Sequence, residues 1–507
     1  MNIREAKEEL RRSVEIYLEK NEFGEYAVPY GKQRPVFMIG APGIGKTAIV
    51  EQIAWELDVA LVSYSMTHHT RQSALGLPFI QEKEFDGKTY SVSEYTMSEI
   101  LSSVYVVMEE SGKREGILFL DEINCVSETL APAMLLFLQY KVFGNRRLPE
   151  GWVIITAGNP ARYNRAVREF DLATLDRLKC FSIEEDFSVW KSYAYQNGIH
   201  GAVMNFLEIN PEWFYSIRTT VEGTEYVTAR GWEDLSRAMT AYEKKGFPVD
   251  GRLIGQYVTH REIAGKFGIY YDLFRKYKTV YRVEDILQGR REEEPEQRAM
   301  EAGFDERVSL LGMLLEGLNP AFTRDVHQEA VLERVVRVLR QVKGQAKRAA
   351  EKDEAALLCR LLEASRGELQ AEQDRREAAN SLGPGQRREY RDVLGLLEEY
   401  GRECGEGNGT PFQRIKKAFD KSVKAHRRQT GETRRFLENA FGFLERIWGR
   451  GQELVLFMTE LTANEKSMRF LELWGCDAYF RLNQELLIYD VRSRLRREIA
   501  ALDMTAD

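Results

Sequence analysis

Eight consecutive residues, Gly40-Ala41-Pro42-Gly43-Ile44-Gly45-Lys46-Thr47, follow the pattern G-x-x-x-x-G-K-T. Glycines at this spacing let the backbone curl until several N–H groups point at one centre. A helix N-terminus behind them adds favourable dipole. Together they make a cradle for phosphate oxygens. Lys46 is placed to reach the β- and γ-phosphates of a nucleotide, and Thr47 to hold Mg²⁺ through its hydroxyl. A second cluster ends the apolar run Gly116-Ile117-Leu118-Phe119-Leu120 with two carboxylates, Asp121 and Glu122. Asp121 can bind Mg²⁺ through water, and Glu122 can polarise an attacking water as general base. The plainer reading of an Asp-Glu pair is a solvated strand end. A third run, Ile154-Ile155-Thr156-Ala157-Gly158, delivers Asn159 before Pro160. Its amide can hydrogen-bond the lytic water or the γ-phosphate, or it can simply cap a turn.

These groups must be carried by something rigid. The first runs to consider are 35–39, 59–64, 116–120, 152–157 and 179–183, all short and apolar. Helix-like stretches lie between them. Short buried strands alternating with helices imply a parallel sheet, and ligands bind at the carboxyl ends of such strands. Residues 2–20 read as an amphipathic helix, with Ala6, Leu10, Val14 and Leu18 four apart. Asp86-Gly87 between alternating segments makes 79–95 a β-hairpin, and 143–151 reads as a second loop or short hairpin. From 186 to 288 the pattern becomes helical. The charged stretch 288–297, with Pro295, is a candidate boundary. Beyond 300 almost everything reads as charged helix, with breaks at 381–386 and 401–411.

The chain has 507 residues, which suggests roughly two to four domains. A net charge of −7 argues against a protein built mainly to coat nucleic acid or anionic membrane. Five scattered cysteines, with no C-x-x-C pair, fit a reducing compartment. With no signal-peptide pattern at the charged N-terminus, the expected location is cytoplasmic.

The chain resembles AAA+ ATPases, most closely their MoxR-like branch. The resemblance rests on GAPGIGKT (40–47), LFLDEIN (118–124), TAGNP (156–160), Leu175-Asp176-Arg177-Leu178 and Val227-Thr228-Ala229-Arg230-Gly231-Trp232-Glu233, with Leu75-Gly76-Leu77-Pro78 as a sixth feature. It covers residues 1–290 and implies an α/β fold of P-loop NTPase (AAA+) type. A parallel sheet flanked by helices spans 1–185. An α-helical lid follows over 186–288, then a charged α-helical C-terminal region over 300–507. It also implies ATP hydrolysis with Mg²⁺. Asn159 then stands as sensor 1. Arg177 stands as an arginine finger reaching a neighbouring subunit, with Arg162, Arg165 and Arg168 as alternatives. Arg230 stands as sensor 2. Without the resemblance, Arg177 reads as the partner of Asp176 and Arg230 as a helix-start ion pair. The family often has Pro at the position of Ala229.

The resemblance further implies a homo-oligomeric ring, expected as a hexamer, that remodels a protein client in chaperone fashion. A von Willebrand factor A domain protein is the expected companion, and 79–95 and 143–151 are the client-contacting elements. Two rivals remain: a McrB-like, nucleic-acid-linked NTPase, and a nucleotide-switched scaffold with little turnover. Thr67-His68-His69-Thr70-Arg71-Gln72 reads as a polar loop at a subunit interface or the nucleotide edge. Residues 414–435 hold nine Lys/Arg against two acids and read as an amphipathic helix with a basic face.

Overall fold

A computed structural model describes residues 1–144, 146–163, 167–221, 223–348, 354–404 and 410–484. The chain divides into two compact units. One comprises Met1–Val189 with Leu362–Glu398, the other Trp190–Leu361 with Glu399–Asp507.

The first unit is built on strands β1 (Val36–Gly40), β2 (Ala60–Ser65), β3 (Pro78–Phe85), β4 (Lys88–Tyr95), β5 (Gly116–Asp121), β6 (Val142–Phe143), β7 (Arg146–Arg147), β8 (Trp152–Gly158) and β9 (Lys179–Ile183). Five of them form one parallel sheet in the order β2-β5-β8-β1-β9. β5 and β8 have almost every residue buried, as a sheet covered on both faces requires. Leu118, Leu120 and Ile154 pack there with Ile100, Val104 and Phe137 from the covering helices. The five expected strands thus all form, each within a residue or two of the expected ends. The N-terminal helix Ile3–Leu18 opens on a capping box between Asn2 and Glu5 and buries Ala6, Leu10 and Val14.

β3 and β4 pair antiparallel from Pro78↔Tyr95 to Phe85↔Lys88. Asp86 (φ 50°) and Gly87 (φ 72°) are both left-handed, as a two-residue hairpin turn demands. At the neck, Gly76 has φ 93°, and a Cβ there would lie 2.1 Å from the Thr96 carbonyl oxygen, so only glycine fits. Phe137 and Phe143 stack at 3.8 Å between ring centroids beneath the shorter β6–β7 hairpin.

The edge strand β2 does not end the layer with bare backbone. The Leu61 N–H donates to the Ala379 carbonyl (2.9 Å), and Asn380 Nδ2 donates to the Leu61 carbonyl (3.1 Å). Both partners sit in the turn between helices Glu354–Ala378 and Pro384–Glu403. Arg376 in the same turn region pairs with Asp58 at 2.8 Å. Lys113 reaches both Asp58 (2.6 Å) and Ser381 Oγ (2.9 Å). Gly383 lies so close to Trp55 that a Cβ would come within 2.8 Å of its ring.

The second unit is mainly helical, with one departure from expectation. β10 (Ser216–Thr220) and β11 (Gly223–Val227) form an antiparallel hairpin within the stretch that reads as helical. Its signal is the run of β-branched and aromatic residues around Gly223. Nearby, Phe206, Trp232 and Phe267 meet in tilted and edge-on pairs at 5.1–5.8 Å. Further along, helices Phe304–Arg348 and Pro411–Trp448 pack together. The fully buried Asp325 accepts hydrogen bonds from Gln429 and Thr433, each 2.6 Å. Among the described residues no helix is long and apolar enough to cross a membrane.

Candidate functional site

The site is assembled at the carboxyl ends of β1, β5, β8 and β2. β1 runs apolar into Gly40, where a Cβ would sit 2.9 Å from the Ile183 carbonyl of β9. The chain then turns through Gly43 (φ 77°) and Gly45 (φ 98°), left-handed conformations that bulkier residues resist. Helix Lys46–Leu57 begins at once, so its free N–H groups open onto the loop formed by Gly40, Ala41, Pro42, Gly43, Ile44 and Gly45.

Lys46 is only 8% exposed. Its Nζ donates to the Gly40 carbonyl (2.8 Å), the Ala41 carbonyl (2.9 Å) and Asn159 Oδ1 (3.0 Å). The third element of the sequence pattern is thereby tied to the first. Thr47 Oγ1 donates to Asp121 Oδ2 at 2.9 Å, which ties the first to the second. A threonine hydroxyl and a carboxylate side by side at a phosphate cradle are the donor set Mg²⁺ takes together with phosphate oxygens and water, so these residues fit that ion.

Glu122 has a left-handed backbone (φ 55°), unusual for a side chain of its size. Its N–H donates to Asp121 Oδ1 at 2.9 Å. Its Oε2 accepts from Ser65 Oγ (3.1 Å) and Thr67 Oγ1 (3.0 Å). The carboxylate is thus clasped by two hydroxyls, from Ser65 at the end of β2, in register with Asp121, and from Thr67 in the turn just beyond it. No sequence pattern singles out Ser65, and Thr67 reads there only as part of a polar loop. Asn124 is a further residue that the motifs do not assign. It is buried and donates from Nδ2 to the Asn159 carbonyl at 2.8 Å. Asn124 fills the space beside Gly158, where a Cβ would lie 2.4 Å from its Oδ1. It therefore holds the tips of β5 and β8 together. A polar residue at the end of β2 and an Asn two places after Glu122 are the available signals.

The arginines behave differently. Arg177 is exposed, and its guanidinium donates to the Ala173 carbonyl (2.7 Å). Among the described residues it makes no ion pair with Asp176; its charge acts instead on Asp171, whose carboxyl is held below the ordinary value first by Thr174 and in part by Arg177. Arg168 is engaged with Glu128. Arg162 lies over the Tyr163 ring at 4.7 Å, and Arg165 falls outside the described residues. Arg230 belongs to the second unit. It is exposed, one residue into helix Ala229–Lys245, which Thr228 caps by accepting from the Gly231 N–H (3.2 Å). In the polar loop, His69 Nδ1 contacts Ser73 Oγ (3.2 Å), and its ring meets Tyr64 edge-on at 4.9 Å.

Residues 36–174 match the model of the ATPase family associated with various cellular activities (AAA). This segment is an AAA domain. The match begins with β1 and takes in the cradle, Asp121, Glu122 and Asn159, and stops just before Arg177. The AAA domain is a P-loop NTPase domain, and the match takes in four strands, β1, β2, β5 and β8, of the five-stranded parallel sheet on which the site is built. The expected α/β class with a following helical region is thus the observed one. No curated protein matches the chain.

Proposed function

We propose that the chain hydrolyses ATP at this site and uses the energy to remodel a protein client. The observation that carries the reading is the clasped Glu122, held beside the Thr47–Asp121 pair and the Lys46–Asn159 pair. In this reading the loop N–H groups and Lys46 bind the phosphates and offset the charge that gathers on the transferring group. Thr47 and Asp121 hold Mg²⁺, which when bound neutralises phosphate charge. Glu122 takes a proton from the attacking water, and Asn159 orients that water against the γ-phosphate. Arg177 serves a neighbouring subunit as arginine finger, and Arg230 contacts the γ-phosphate of its own subunit as sensor 2. The assembly is a ring, a hexamer in the MoxR-like reading, with a von Willebrand factor A domain protein as companion. The β3–β4 hairpin supports a client-contacting role, because Ile80, Phe85 and Tyr90 leave 78%, 54% and 49% of their surface exposed.

The test is Glu122→Gln. The amide keeps the shape of the side chain and cannot accept the proton. Steady turnover should fall by about 100-fold or more, while binding of a fluorescent ATP analogue stays within about two-fold. A variant that turns over like the parent overturns this role for Glu122 and favours the nucleotide-switched scaffold.

A further inference from the structure

In the second unit, helices Phe304–Arg348 and Pro411–Trp448 and the residue Trp474 enclose a groove of about 550 Å³. Its floor is apolar: Leu332 is buried, and Val336, Phe419, Val423 and Trp474 are each partly open to it. His426 forms part of the wall, with a side chain only 4% exposed. Its Nε2 contacts Glu329 at 2.9 Å, and the edge of Trp474 meets its ring at 5.5 Å. Its Nδ1 is buried with no hydrogen-bond partner among the described residues. Arg337, Arg340 and Arg427 stand exposed at the rim, and among the described residues no carboxylate pairs with them. Glu329 and Glu333 also line the groove.

The two helix segments that carry the groove are rich in basic residues. Residues 332–347 hold five Lys/Arg against one acid, and residues 411–428 hold seven against one, in a chain whose net charge is −7. At the groove itself Arg337, Arg340 and Arg427 face Glu333 and a Glu329 that is engaged by His426, so the rim favours anionic partners. The floor decides which kind. A nucleic acid offers phosphates at every step, and here they would have to lie along aliphatic side chains. An amphipathic helix meets the same surface on both counts: leucine-type residues fill the floor, and flanking carboxylates pair with the rim arginines.

We propose that this groove is the docking site for an acidic amphipathic helix of a partner protein. None of its lining residues belongs to the phosphate cradle or its partners.

The experiment uses the full chain and a labelled 20-residue helical peptide with leucines at i, i+3, i+4 and i+7 and glutamates elsewhere. Binding is followed by fluorescence anisotropy. A control peptide has lysine in place of every glutamate. The acidic peptide should bind saturably and weaken as salt rises. The triple variant Arg337→Glu, Arg340→Glu, Arg427→Glu should bind it at least ten-fold more weakly and gain affinity for the lysine peptide. All three positions are exposed, so thermal unfolding should be unchanged. Phe419→Ala should weaken binding and leave its salt dependence intact. The proposal is overturned if the acidic peptide fails to bind, if both peptides bind wild type equally, or if a 20-nucleotide single strand binds more tightly and loses binding in the same triple variant.

Discussion

Lys141 is an ammonium group placed where water hardly reaches. It is 4% exposed, donates to the Tyr30 carbonyl at 2.9 Å, and sits 3.9 Å over the Tyr30 ring. Burial lowers its pKa to about 8 from the ordinary 10.5. Below pH 8 the lysine is charged both folded and unfolded, and the fold bears the full cost of burying the charge. Between pH 8 and 10.5 the folded state releases the proton while the unfolded chain keeps it, so stability rises with pH. Wild type should therefore gain about 2 kcal/mol between pH 7 and pH 9.5 relative to Lys141→Met. Urea unfolding of the two proteins at both pH values checks this. A constant difference would mean the group titrates normally. The residues of the candidate site differ in kind from Lys141, because most are legible in the amino-acid order itself. Lys46, Thr47, Asp121 and Glu122 lie in contiguous patterns whose chemistry depends on local order. Ser65 and Asn124 are not legible in that way, because each acts on a residue that only the sheet register brings near. Sequence shows a serine after Tyr64; it does not show that Ser65 stands opposite Asp121.

At the scale of elements, the same distinction holds for strands and their neighbours. β1, β2, β5, β8 and β9 are readable because a strand covered on both faces must be apolar along its length. The β10–β11 hairpin is hidden among helical stretches, since five-residue strands carry little periodicity. What no pattern announces is the capping of β2 by the turn at residues 379–383, more than 300 positions away. Unpaired edge strands invite pairing with other chains, and this turn occupies both free groups of Leu61. Asn380 is suited to it twice over. Its amide reaches the Leu61 carbonyl, and its φ of 53° is one that asparagine tolerates better than most residues. Asn380→Ala should cost about 2 kcal/mol, from the lost hydrogen bond and the left-handed backbone together. Asn380→Gly removes the amide and keeps the backbone easy, so it should cost only about 1 kcal/mol. Thermal unfolding of both variants separates the two contributions. Equal losses would mean that the backbone is not under strain.

For the whole molecule, the question is whether one chain holds a complete site. Within the first unit Lys46, Thr47, Asp121, Glu122 and Asn159 converge through direct hydrogen bonds. No arginine joins them by a hydrogen bond among the described residues. Arg177 is exposed and donates to the Ala173 carbonyl of the preceding helix, with no ion pair among the described residues, though its charge acts on nearby Asp171. Phosphoryl transfer gathers charge on the γ-phosphate oxygens, and an arginine supplied from outside is worth about 10³–10⁵ in rate in related systems. An exposed guanidinium just past the matched segment, held on its own chain by one exposed backbone contact, is suited to be that group for a second copy of the chain. The proposed ring then predicts a turnover per chain that rises with protein concentration across the range where mass measurements show assembly. Arg177→Ala should assemble to the same mass, bind nucleotide as before, and remain slower by about 10³ or more at every concentration. The interactions the substitution removes within its own chain, with Ala173 and Asp171, are exposed, so a loss of rate without loss of mass isolates the contribution across the interface. Full turnover by isolated chains, unchanged in Arg177→Ala, would show that the site is complete within one copy and that the ring plays no part in the chemistry.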